Sequence, residues 1–206
     1  NAGRFWARAK GLEKAIYNNL LFVDTRCFPK KNILKEIEAI KYQPLIGVME
    51  YGYQNSHPHR FSHLTRKGFV YKKNYHRKKT EDIFIDEHNF DEIPKGTGVF
   101  FCDKALFLKS KITSQSKYAS DDTKFFRNII KSKKILATPR IKFRYEHRSI
   151  LKSEVKHTFN VGPPFVDYYC CPDKKEFWIY IVAPIIFLLF ILILLLARIV
   201  SLQMIM

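Results

Sequence analysis

The chain has 206 residues, with 36 Lys+Arg against 19 Asp+Glu, a formal charge of +17, 47% apolar and 15% aromatic residues. That apolar content can build a core, so a disordered chain and a collagen-like repeat are excluded. The four cysteines, at 27, 102, 170 and 171, lack the spacing of a zinc site or a small disulfide scaffold, which reads as a reduced, cytoplasmic setting.

Residues 4–17 predict a helix, with Phe5, Ala9, Leu12 and Ile16 at helical spacing. Residues 20–23 form a short apolar run ending at Asp24, the pattern of a buried parallel strand. Pro29 opens a second helix over 31–40, with Ile33, Leu34, Ile37 and Ile40 on one face. Residues 45–49 predict another strand. This alternation predicts a layered α/β domain. Residues 51–80 carry eight Lys/Arg and no acid, and 81–92 carry six acids and no Lys/Arg. Such blocks can pair with one another, be solvated or bind a partner. A turn over 94–98 precedes an apolar stretch at 99–102. A helix is expected over 121–131 with Phe125, Phe126, Ile129 and Ile130 inward, then strand pieces at 135–138 and 141–145. Residues 149–159 predict an amphipathic helix capped by Ser149.

Residues 177–197 contain no charge, and 21 residues at about 1.5 Å each would cross a hydrocarbon layer of roughly 30 Å. They predict a transmembrane helix. Nine Lys/Arg between 131 and 156, with Lys174 and Lys175, would place the preceding domain on the cytoplasmic side of an inner or plasma membrane. Membrane lipids are therefore among the expected partners. The chain starts at Asn1 without an initiator Met and reads as an N-terminally truncated fragment.

Acidic positions carry the candidate chemistry. Asp24 ends a strand, where open α/β sheets place ligands, and it also suits a turn or a helix cap. Asp121 and Asp122 open a helix. They suit an N-cap pair, or a pair in which one carboxylate serves as general base. His57, His59 and His63 fit no well-specified metal site. His147, beside Arg148, could contact phosphate. There is no P-loop, nucleophile elbow or dinucleotide fingerprint.

The order of the motifs resembles family 2 glycosyltransferases of the GT-A fold. Ala7-Arg8-Ala9-Lys10-Gly11 before a strand ending at Asp24 is similar to the family's helix leading to D-x-D. KGTGVFFCDKALF (95–107) is similar to its segment ahead of the acceptor site. SDDTKFFRNIIKSKKILATP (120–139) resembles its E-D helix with a following Arg, and FRYEHRSILKSEVKHTFNVG (143–162) its closing strand, His and helix. The resemblance implies a partial GT-A catalytic domain at 1–165, a juxtamembrane linker at 166–176, the transmembrane helix at 177–197 and a tail at 198–206.

It further implies an inverting, hexosyltransferase-like enzyme of bacterial cell-envelope polysaccharide biosynthesis. The donor would be a nucleotide-diphosphate sugar and the acceptor a saccharide or lipid-linked hydroxyl, with no nucleic acid expected. Asp122 would be the catalytic base. Asp24 would be the donor-site residue and sole candidate metal ligand. Arg8, Asp121, Arg127 and His147 are secondary candidates. D-x-D implies Mg²⁺ or Mn²⁺, but its second acid is Arg26 here. Arg26 cannot ligate a metal, yet it can neutralise a diphosphate. Arg127 falls one residue short of the family's Arg, and Asp121 stands where the family has Glu. Two other readings stay open: an inactive relative, and a non-enzymatic basic module, membrane-anchored, that binds anionic lipid or nucleic acid. The second draws on the interleaved Phe69, Tyr71 and Tyr75.

Overall fold

The computed structural model describes residues 4–50, 78–93, 95–112, 121–146, 150–171 and 177–203. Its helices are α1 (Arg4–Lys14), α2 (Ile33–Ile40), α3 (Lys104–Lys109), α4 (Asp121–Ile130), α5 (Leu151–Tyr169) and α6 (Phe177–Gln203). Its strands are β1 (Asn19–Val23), β2 (Cys27–Pro29), β3 (Leu45–Glu50), β4 (Ile83–Ile85), β5 (Val99–Asp103) and β6 (Ile135–Tyr145). The strands form one sheet in the order β1-β5-β3-β6-β2, and β4 pairs with β6 outside that path.

The sheet is mixed. Among the described strands only β3 and β6 run parallel; the β1–β5, β3–β5, β2–β6 and β4–β6 pairs are antiparallel. β1, expected as a buried parallel strand, is an edge strand antiparallel to β5, with one buried residue, Leu20. An apolar run marks a strand but not its direction. The pieces at 135–138 and 141–145 are one strand. Its register against β3 shifts between Gly47, opposite Thr138, and Val48, opposite Lys142. Pro139 lies inside that irregularity, where a residue without an N–H is tolerated.

Successive residues of β6 face opposite cores, as the pleat requires. Ile135 and Ala137 join a cluster with Phe100, Phe107, Phe125, Phe126 and Ile129. Leu136, Ile141 and Phe143 join a second cluster with Ile37 and Leu45. Phe100 meets Phe126 at 5.2 Å and Phe125 at 5.8 Å between ring centroids, both edge to face. Such pairs add about 0.5–1.5 kcal/mol beyond their burial.

α5 starts two residues after Ser149, which lies outside the described residues, and runs ten past the expected end. Its last turn is held from outside: the Tyr168 hydroxyl donates to Asp91 Oδ1 at 2.9 Å, and Lys124 pairs with Asp167 at 2.6 Å. Within the acidic block, Asp86 pairs with Lys134 at 3.1 Å and Asp91 with Arg127 at 3.6 Å. These acids thus serve packing. The basic tract of 51–77, with His57, His59 and His63, lies outside the described residues.

Two expectations are corrected. Neither a GT-A layered domain nor a transmembrane helix is shown: the sheet is mixed, and among the described residues no helix is long and apolar enough to cross a membrane. α6 contains Pro184, whose ring removes a backbone hydrogen bond from the helix interior. Placement at an inner or plasma membrane, with a cytoplasmic domain anchored there, is accordingly not supported.

At the register shift, a Cβ on Gly47 would stand 2.9 Å from Ile141 Cγ2 and 3.0 Å from its carbonyl oxygen. Gly47→Ala is expected to cost about 1–3 kcal/mol, measured by urea unfolding.

Candidate functional site

The site begins with α1. Arg8 and Leu12 are one turn apart and share a face. Leu12 is buried in the core, which carries Arg8 inward beside it. The end of α1 is tied to the sheet, since Lys104 donates from Nζ to the Ala15 carbonyl at 2.9 Å and from its backbone N–H to that of Asn18 at 2.7 Å. Ile16, expected on the buried face, lies past the helix end and is 85% exposed.

Asp24 follows β1 in a tight turn. Its N–H donates to the Gly98 carbonyl at 3.0 Å, and its carbonyl accepts from the Cys27 N–H at 2.8 Å. Gly98 permits this approach, because a Cβ there would stand 3.0 Å from Cys27 Sγ. Thr97 precedes it and is 2% exposed. Asp122 sits in the first turn of α4, pinned by Phe125, Phe126 and Ile129 beneath it.

These segments meet at one guanidinium. Arg8 Nη1 donates to Asp122 Oδ1 at 2.5 Å, and Nη2 donates to Asp24 Oδ1 at 3.0 Å and to Thr97 Oγ1 at 2.5 Å. Thr97 Oγ1 in turn donates to Asp122 Oδ2 at 2.8 Å. The Arg8 side chain is 12% exposed, that of Asp122 21% and that of Asp24 39%. Burial pulls the Arg8 pKa down, but the carboxylates of Asp122 and Asp24 outweigh it, and it stands above the ordinary arginine value. Both acids therefore face a permanent cation.

The structure brings together Arg8, Asp24 and Asp122 from the sequence-derived set. Arg26 lies in the same turn as Asp24, half-buried, its carbonyl accepting from the Glu146 N–H at 2.9 Å. Among the described residues its side chain forms no ion pair. Arg127 does not join the cluster; it pairs with Asp91 and lies over the Phe90 ring at 4.8 Å. Asp121 opens α4, but its side chain is outside the described set, as is all of His147. Thr97 escaped the sequence reading. Its signal was position: a hydroxyl between two glycines ahead of a buried strand.

Burial and the charge of Asp24 push the Cys27 thiol up to about 11, so the neighbouring sulfur is no thiolate nucleophile at neutral pH. The donor set does not suit a divalent cation. One Asp24 oxygen is held by Arg8, position 26 carries a cation, and among the described residues no group of three or more His, Cys, Asp or Glu could hold a metal. No protein-family model matches the chain, and no curated protein matches its sequence.

Arg8→Gln removes the counter-charge that bridges the two acids. It is expected to cost about 2–4 kcal/mol, below the roughly 3–5 of a fully buried pair because Asp24 is 39% exposed. Arg26→Gln should stay within about 0.5 kcal/mol of wild type. Denaturant unfolding of both variants checks the contrast.

Proposed function

We propose that this site performs inverting glycosyl transfer from a nucleotide-diphosphate sugar to a hydroxyl of a saccharide or lipid-linked acceptor. The observation that carries the reading is the convergence of Asp24 and Asp122 on Arg8, with the motif order described above. Asp122 accepts from Arg8 Nη1 on Oδ1 and from Thr97 Oγ1 on Oδ2. Asp122 takes the hydroxyl proton as the acceptor oxygen bonds to the anomeric carbon. The bond from that carbon to the diphosphate breaks on the opposite face, and its electron pair leaves with the diphosphate. Arg8 and Thr97 hold the carboxylate in place, an orientation effect rather than a chemical step.

Asp122→Asn is expected to lower transfer by about 10²–10⁴-fold while leaving donor binding within about twofold, assayed against a panel of UDP- and GDP-sugars. Normal turnover in that variant would refute the base assignment.

A second reading, a basic module that binds nucleic acid, is favoured by an open cleft of about 420 Å³ lined by Lys30, Lys31, Asn32, Glu36, Arg140 and Lys142. Glu50 meets Lys30 at 3.0 Å and Lys142 at 3.6 Å, and Glu36 meets Arg140 at 3.1 Å. Four cations against two acids leave a surplus of two. With two phosphates engaged, oligonucleotide affinity should fall about tenfold between 50 and 200 mM salt, read by fluorescence anisotropy. Salt-insensitive binding, or none, removes this reading.

A further inference from the structure

A carboxylate that holds Mg²⁺ turns an oxygen to it at about 2.1 Å. Asp24 Oδ1 already accepts from Arg8 Nη2 at 3.0 Å. A divalent cation on that oxygen would stand within about 5 Å of a guanidinium that cannot lose its charge. Arg8 has no easy retreat, because the same group also holds Asp122 and Thr97 in a mostly buried position. Two carboxylates, Arg8 and Arg26 sum to zero, so the centre lacks the net negative charge that draws a divalent ion. Arg26, half-buried in the turn beside Asp24 and without an acid partner among the described residues, is free to meet phosphate oxygens with its planar fork.

We infer that the positive charge a divalent cation would bring to this site is supplied by the chain's own guanidinium groups, so that a diphosphate leaving group is handled without a metal ion. Arg8 fixes the acid pair and offsets one of its two charges, and Arg26 receives the charge that develops on the departing diphosphate oxygen. The inference rests on the glycosyl-transfer reading of the same site. It goes further in replacing the implied Mg²⁺ or Mn²⁺ with two named residues.

The first arm of the test titrates Mn²⁺ alone into the full chain and follows its electron paramagnetic resonance signal. Wild type is expected to show no stoichiometric site, whereas Arg8→Gln and Arg26→Asp each raise Mn²⁺ affinity at least tenfold. Should Arg8→Gln not fold, Arg26→Asp, at a turn position, carries the same expectation. The second arm measures UDP and GDP binding by calorimetry in EDTA and in Mn²⁺. Affinity should agree within twofold between the two conditions, and Arg26→Gln should weaken it at least tenfold in both. A stoichiometric Mn²⁺ in wild type that is lost in Asp24→Asn overturns the inference, as does diphosphate binding that needs Mn²⁺, or no gain of Mn²⁺ affinity in either variant. The glycosyl-transfer reading survives those outcomes. A chain that binds neither nucleotide under either condition overturns that reading, and with it the role given to Arg26.

Discussion

A guanidinium only 12% exposed has to find its counter-charge inside the protein. An isolated charge in such a place costs several kcal/mol, and an arginine cannot escape by shedding its proton. Arg8 meets the requirement with two carboxylates and a hydroxyl. The three groups come from a turn, a buried loop and a helix start that are far apart in the chain. The rest of the architecture holds those three places at the right distance from α1.

The sheet does most of this. The β1–β5 register ends at Val23 opposite Val99, so the residues just beyond the pairing, Asp24 on one side and Thr97 and Gly98 on the other, must be neighbours. A slip of one residue would turn Leu20 out of the core and move Asp24 with it. The aromatic cluster does the remainder. Phe22 stacks on Phe107 at 5.1 Å, Phe107 meets Phe125 at 4.8 Å, and Phe100 closes the group against Phe126. Through these rings β1, β5, α3 and α4 share one packed body, and the first turn of α4 cannot drift from the strand that presents Asp24. Interiors packed at such density transmit displacement rather than absorb it.

Much of the local structure is legible in the residues themselves. The strand at 45–49, the apolar stretch before 103 and the inward face of the 121–131 helix are read correctly, because alternation and helical spacing are local properties. Strand direction is not local, which is why β1 reads as parallel when it is antiparallel. Helix ends are decided partly by tertiary contacts: α5 continues through Gly162 and Pro163 to reach Tyr168, whose ring packs near Phe90 and whose hydroxyl meets Asp91. Of the site, Asp24 and Asp122 are visible as acids at element ends, and Arg8 as part of a motif. That one arginine binds both acids is invisible in sequence, since it depends on the 97 residues between the acids folding back, and Thr97 has no pattern of its own. The apolar stretch at 177–197 shows the converse. Composition there suggested a span, while the described helices include none that qualifies.

The separation between the partners also bears on how the chain is made. Arg8 precedes Asp122 by 114 positions. At about 5–20 residues per second, the ribosome needs roughly 6–23 seconds to deliver the second acid after the arginine has emerged. During that interval the nascent first helix has at most one of its two anionic partners. Before α4 is made, Arg8 has only Asp24 and Thr97 to meet, so the full set of hydrogen bonds on its guanidinium closes only once residue 122 has been added.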